Sequence, residues 1–235
     1  DHLLSRGHEV LGLDNFSTGR RRFIEKATTH PNFKIITCDL LDKGEIVQYF
    51  QGYDVVFHLA ANADVRFGFT HPRKDLEQNT IVTFNVLEAM RAHSIKNIVF
   101  SSTGAIYGES KIIPTPEDCP MPTQTSLYGA SKLACEGLIQ AYCEGFDFQS
   151  WIFRFVSVLG ERYTHGHVFD FYKKLLNNPN TLEILGDGHQ KKSYIYIQDC
   201  IEAMMLGIEK EKDKINIFNL GTPEMIEVFN SIEII

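Results

Sequence analysis

The 235-residue chain contains no G-x-G-x-x-G or close variant, no Cys-x-x-Cys pair and no apolar run of membrane-spanning length. The first absence leaves these residues without the phosphate-binding turn of a dinucleotide fold. The second leaves an odd set of isolated cysteines, Cys38, Cys119, Cys135, Cys143 and Cys200. That pattern argues against a disulfide framework or zinc site and for reduced thiols in a cytoplasmic protein. The third absence, with no signal-like segment at the start, argues against membrane insertion. Positive charge is also short: 23 Lys and Arg against 30 Asp and Glu give a net charge of -7, so nucleic acid is not expected as a partner. His165-Gly-His167 lacks further ligands, so no metal is expected there. The remaining composition, 43% hydrophobic and 23% charged without repeats, is that of one large or two small globular domains.

Apolar runs rich in β-branched and aromatic residues fall at Glu9–Leu13, Phe33–Thr37, Val55–Ala60, Asn97–Ser101 and Gln149–Val156. Helical spacing occupies Lys43–Gln51, Leu76–His93 and Leu127–Glu144. Strands without clean alternation are buried on both faces, so the pattern predicts an α/β fold with a Rossmann-like, doubly wound parallel sheet. The first eight residues read as the last turns of a helix ended by Gly7. The expectation is therefore a chain that lacks the first strand and glycine turn of such a fold and is also cut at its far end. Without that turn's N–H groups, a polypeptide of these residues alone is expected to hold NAD poorly.

Tyr128-Gly-Ala-Ser-Lys132 puts a phenol and an ammonium one helical turn apart on one face. A cation beside a phenol favours phenolate, which brings a poor base toward the working range. The hydroxyl of Thr103, in Ser101-Ser102-Thr103, could orient an alcohol for proton removal. Tyr107-Gly-Glu-Ser-Lys111 has the same spacing, but Gly108 and four prolines between 114 and 122 make a helix there unlikely. Tyr128 instead opens an apolar-periodic stretch, with Ser126 as its N-cap. Asp14 ends the second expected strand, where an acid can bind both hydroxyls of an adenosine ribose and favours NAD over its phosphorylated form. Asp39 follows another strand and could cap an adenine amino group. The small residues of His58-Leu59-Ala60-Ala61-Asn62 would let a cofactor approach the backbone.

These motifs, taken in order, resemble the extended short-chain dehydrogenase/reductase family in its nucleotide-sugar epimerase/dehydratase branch. The resemblance runs from Leu13-Asp14-Asn15 and Cys38-Asp39-Leu40 through Ser101–Gly108, Tyr128–Lys132 and Arg154-Phe155 to Gly186-Asp187-Gly188, Tyr196–Asp199 and Asn219-Leu220-Gly221-Thr222. It implies Thr103, Tyr128 and Lys132 as the catalytic group. It implies NAD held by Asp14, Asn15, Asp39, Leu40, Leu59, Ala60, Ala61, Asn79, Ser101 and Phe155 as well as Tyr128 and Lys132. It also implies a nucleotide-sugar met by Thr103, Tyr128, Ser157, His167 and Lys192. Ser157 stands where the branch usually has asparagine, and Lys192 where it has arginine, which loses the two-point grip on a diphosphate.

Relatives that dehydrate or decarboxylate the sugar usually carry an acid shortly after the catalytic threonine. Gly104-Ala105 stand there instead, which points to epimerisation, most simply of a UDP-hexose at C4. A dehydratase or reductase of the same family and a non-catalytic dinucleotide-binding regulator are the alternatives. The resemblance further implies an NAD-binding region over 1–156 and a smaller substrate-binding region over 157–235, with about 215–221 returning to the main sheet. A homodimer formed through Leu76–His93 and Leu127–Glu144 is the expected assembly.

Overall fold

The protein is described by a computed structural model covering residues 1–235 except Arg66, Pro122 and Leu185. The first half runs α1 (His2–Ser5), β1 (Val10–Asp14), α2 (Glu25–Thr28), β2 (Phe33–Thr37), α3 (Lys43–Ile46), β3 (Val55–His58), α4 (Phe67–Thr70), α5 (Pro72–Asp75), α6 (Val82–Ala92) and β4 (Asn97–Thr103). The second half runs α7 (Leu127–Phe146), β5 (Gln149–Phe155), β6 (Ser157–Leu159), α8 (His167–Asn177), β7 (Lys191–Lys192), β8 (Tyr194–Tyr196), α9 (Ile197–Lys210), β9 (Ile215–Leu220), β10 (Ile226–Glu227) and α10 (Val228–Ile234). Gly7 closes α1 at φ 84°, a conformation that costs glycine little and other residues more.

Among the described residues, β3, β4, β5 and β9 form a four-stranded parallel sheet in the order β3-β4-β5-β9, and β1 and β2 form a separate parallel pair. Alternation along the central strands assigns each face its own layer. Ile98, Phe100 and Ile152 pack with Val86, Leu87 and Met90 of α6 and Ile139 and Cys143 of α7. Val99, Trp151 and Phe153 pack on the opposite face with Cys200 and Met204 of α9. Both faces are covered, so the strands need no polar alternation. The doubly wound α/β expectation is borne out.

The helices deviate from their periodicity in two places. Lys43–Gln51 is a single turn of α-helix followed by a 3₁₀ turn, Val47–Tyr49. Leu76–His93 opens with a π-helical turn, Leu76–Ile81, before α6 begins. The wide turn coincides with Asn79, a buried amide whose side chain bonds two other elements rather than solvent.

Helix α7 starts where its cap residue predicts. The Ser126 hydroxyl accepts from the Gly129 N–H at 3.0 Å. Its buried face comprises Gly129, Ser131, Lys132, Cys135, Glu136, Ile139, Tyr142 and Cys143. Gly129 lies so close to the Gly104–Tyr107 turn that a Cβ there would stand 2.8 Å from the Ala105 carbonyl oxygen. Gly→Ala in a helix ordinarily gains about 1 kcal/mol. Here the contact is with backbone, and overpacking of about 1–3 kcal/mol exceeds that gain. Gly129→Ala is therefore expected to lower the stability read by urea denaturation, and a stabilised variant would contradict this packing.

Candidate active site

Thr103 ends β4, and its hydroxyl accepts from the Ala105 N–H at 3.1 Å, which turns the chain into the Gly104–Tyr107 3₁₀ turn. Tyr128 sits in the first turn of α7 with Lys132 one turn later, 2% exposed. The Lys132 ammonium donates to the Ser101 carbonyl oxygen at 2.8 Å and stands 4.7 Å from the centre of the Phe100 ring. Burial draws its pKa down from 10.5 to about 8. Thr103 thus acts on the Tyr128 phenol, and Lys132 of the same helix is anchored on Ser101 at the end of the same strand.

The charge logic expected of the pair needs correcting. Burial holds the Tyr128 phenol above its ordinary range; the Thr103 hydroxyl opposes the shift, and the charges of Asp75 and Cys135 add to it. Lys132 directs its proton at a backbone carbonyl, and desolvation of the phenol wins. At neutral pH Tyr128 is a protonated donor in this arrangement.

A relay of hydrogen bonds that the sequence did not suggest fixes the first turn of α7. The Asn62 N–H donates to Asn79 Oδ1 at 2.8 Å, Asn79 Nδ2 to Ser131 Oγ at 2.8 Å, and Ser131 Oγ to the Tyr128 carbonyl at 2.8 Å. Asn62 Nδ2 donates to Asp75 Oδ1 at 2.7 Å. On the far side of Lys132, His58 is 3% exposed and 2.9 Å from Thr83 Oγ1. Burial first, then the Lys132 charge, pushes its pKa to about 3, so it stays neutral.

A cavity of about 800 Å³ opens beyond the ends of β1, β2 and β3. It is lined by Asp14, Asn15, Asp39, Leu40, Leu59, Ala60 and Ala61, all expected to hold cofactor. Asp14 Oδ1 accepts from the Phe16 N–H at 2.6 Å, and Asp39 accepts from Asn15 Nδ2 at 3.2 Å and the Leu41 N–H at 2.9 Å. The remaining carboxylate lone pairs, beside alanines that leave the backbone approachable, suit a ribose and an adenine amino group. Residues and cavity together fit the adenosine half of NAD. Asn79, Ser101 and Phe155 do not line this cavity; Asn79 reaches it through Asn62. Arg162, Thr164 and His165 also line it and were not anticipated, because their place follows from the path of the chain after β6.

The residues expected to meet a sugar nucleotide form a second group. Ser157 of β6 is in register with Tyr194 of β8, whose hydroxyl lies 2.8 Å from His167 Nδ1 at the start of α8. Burial and then the charge of Lys192, on β7, lower the His167 pKa. Ser157, His167 and Lys192 therefore gather around one edge of the molecule.

The profile of the NAD dependent epimerase/dehydratase family matches residues 1–221. This chain belongs to that family. A UDP-glucose 4-epimerase of Corynebacterium glutamicum is 33% identical over 98% of this chain and 73% of its own length. A UDP-galactose 4-epimerase of known structure superposes with a TM-score of 0.89 at 36% identity, over 100% of this chain and 76% of that one. The UDP-glucose 4-epimerase of Thermus thermophilus, solved as a complex with NAD, gives a TM-score of 0.85 at 31% identity over 99% of this chain and 76% of that one. NAD is the cofactor of this epimerase/dehydratase family, and the cavity is chemically suited to it. Among the described residues no helix is long and apolar enough to cross a membrane.

The lowered pKa of Lys132 has a measurable consequence for stability. Its folded value of about 8 lies below the unfolded 10.5, so over that range the unfolded chain binds the proton that the folded chain has released. Stability then rises with pH, by up to about 3 kcal/mol if the shift is fully expressed. Urea denaturation from pH 7 to 10.5 is expected to show the parent gaining on Lys132→Met. A constant difference would show that Lys132 keeps its ordinary pKa.

Proposed function

We propose that this chain catalyses NAD-dependent epimerisation of a nucleotide-sugar, a UDP-hexose at C4, through a transient keto-sugar. The observation that carries this reading is Thr103 at the end of β4 beside the first turn of α7, followed by Gly104-Ala105 rather than by an acid. Removing water from a ring needs a proton donor for the departing hydroxyl and a base for the carbon. The buried carboxylate of the catalytic helix, Glu136, is engaged by Arg154 and Ser102. Epimerisation asks less: one group that takes a proton and returns it.

Tyr128 is that group. As phenolate, its resting proton having first passed to solvent, it accepts the proton of the sugar hydroxyl in the oxidising half, and as phenol it donates that proton back in the reducing half. Thr103, whose hydroxyl acts on the Tyr128 phenol, aligns the same sugar hydroxyl. Lys132 holds positive charge beneath them, anchored on Ser101. Asn79 and Ser131 keep the first turn of α7 from rotating. NAD, when bound, supplies reversible two-electron oxidation at one carbon. Between the two halves the keto-sugar turns over and presents its opposite face. Ser157, His167 and Lys192 hold the nucleotide, with Lys192 offering a point charge to the diphosphate.

The exposed Leu76, Ile81 and Phe84 on the π turn and α6 support pairing of two copies through that face. The five free, buried thiols accord with a reducing cytoplasm. In this reading the cofactor side lies in 1–156, joined at its cavity by Arg162, Thr164 and His165, and the sugar side in 157–235.

The direct test incubates the purified full-length protein and NAD with UDP-glucose, UDP-N-acetylglucosamine and their 4-epimers, and follows the products by chromatography and mass. A 4-epimer of unchanged mass is expected, whereas loss of water would assign a dehydratase. Tyr128→Phe should lower kcat by about 10²- to 10⁴-fold, the usual worth of a general acid–base group. Full activity without the phenol would remove Tyr128 from the chemistry.

A further inference from the structure

Two turns beyond Tyr128 and one beyond Lys132, the same face of α7 carries Glu136, which is 1% exposed. Its partner, Arg154 of β5, is 3% exposed and grips both carboxylate oxygens: Nη2 to Oε2 at 2.8 Å and Nε to Oε1 at 3.1 Å. The Ser102 hydroxyl donates to Oε1 as well. Ser102 immediately precedes Thr103 and stands in register opposite Arg154. The remaining guanidinium nitrogen, Nη1, donates to the Tyr107 hydroxyl at 2.5 Å and the Glu117 carbonyl at 2.8 Å. The Tyr107 hydroxyl in turn donates to Asn219 Oδ1 of β9 at 2.9 Å.

A buried ion pair is poor material for stability as such. Desolvating both charges costs about what their attraction returns, and apolar residues of similar volume commonly serve as well or better. A two-point guanidinium–carboxylate contact is instead directional, because a small slide or rotation breaks both bonds in a medium that offers no water to replace them. Here that contact is made between the helix bearing Tyr128 and Lys132 and the strand residue next to Thr103.

We propose that Glu136 and Arg154 are positioning residues: their paired contact, shared with Ser102, sets the height and rotation of α7 so that the Tyr128 phenol meets the Thr103 hydroxyl. This rests on Tyr128 being the acid–base group of the proposed reaction. Among the described residues no hydrogen bond joins the pair's side chains to Tyr128 or Thr103; the pair acts through the helix and the strand. Through Tyr107 and Glu117 it extends the same reference to the segment between β4 and α7. Misplacement of about 1 Å at a reacting centre costs on the order of 10²-fold in rate, so the grip has functional weight even where stability is indifferent to it.

The decisive variant is Glu136→Leu with Arg154→Met, which replaces the pair by apolar side chains of similar size. It is expected to melt within about 4 °C of the parent, since a change of 1 kcal/mol moves a chain of this size by about 2–4 °C. Its kcat should fall about 10- to 100-fold with KM changed by less than about twofold, the mark of an interaction needed at the transition state rather than for binding. A second readout needs no substrate: ultraviolet titration of the Tyr128 phenol, taken as the difference from Tyr128→Phe in the same background. In the parent this phenol ionises above the ordinary range; in the double variant it should ionise closer to a free phenol, because a loosened α7 admits water.

A double variant with the parent's kcat and the parent's Tyr128 titration overturns the proposal. If the parent shows no epimerase activity while the titration shifts as described, the functional reading fails and the positioning stands. Should the double variant not fold, Arg154→Lys, which keeps the charge but loses the fork, takes its place. An unchanged kcat and phenol titration in a folded Arg154→Lys would likewise refute the proposal.

Discussion

Everything at the candidate active site depends on α7 burying a polar face against β4. A helix face that carries Tyr128, Lys132 and Glu136 cannot enter a sheet-packed core unless each group finds a partner, since an unpaired buried charge costs several kcal/mol. Three consecutive strand residues supply those partners. The Ser101 carbonyl takes the Lys132 ammonium, the Ser102 hydroxyl joins Arg154 on Glu136, and the Thr103 hydroxyl acts on the Tyr128 phenol. Strand alternation explains why this works. Ile98 and Phe100 face α7 through the apolar core, and Ser102, two residues on, occupies the same face where the core gives way to polar chemistry.

Lys132 is held not only by what it touches but by what surrounds it. The Phe100 ring lies 4.7 Å from the ammonium, and His58 is kept neutral by burial and by the lysine itself. A protonated His58 would add a second positive charge to a region that already carries one, so its hydrogen bond goes to Thr83 instead. Thr83 in turn donates to the Asn79 carbonyl one turn back and is 3.2 Å from the Cys135 sulfur. Where Asn79 and Thr83 meet Ser131 and Cys135, α6 and α7 thus join through paired polar groups beside the apolar contacts of Val86, Met90 and Ile139.

The sequence revealed what is local. β-branched and aromatic runs located the central strands, Ser126 located the start of α7, and Gly108 with the prolines after it correctly denied Tyr107 a sustained helix. Long-range pairing was not legible. Glu136 and Arg154 are 18 residues apart, on different elements, and neither differs in type from an ordinary surface charge until the fold buries both. The π turn was hidden because Leu76–Ile81 has acceptable helical spacing; only the demand of Asn79 for two distant partners accompanies the wider turn. The raised pKa of Tyr128 escapes the spacing for a related reason. Spacing reports that a cation is one turn away, but not that its proton points at a carbonyl while the phenol loses its water.

The raised phenol pKa bears on how Tyr128 would serve both halves of the proposed reversible reaction. A phenol pushed up by burial is a competent donor and a reluctant acceptor, which suits the return of a proton to a reduced sugar. Acceptance requires positive charge near the phenol at the moment of oxidation. Lys132, with a pKa of about 8, is still mostly protonated at neutral pH and supplies that charge. Free in water, the ammonium and the phenol hold their protons about equally well, with the ammonium slightly ahead. Burial raises the phenol and lowers the ammonium, so here the phenol holds its proton more tightly and Lys132 is the first to let go as pH rises. Desolvation, costly to the fold, therefore moves the two groups in opposite directions. Both shifts follow from placing a polar helix face against the end of β4.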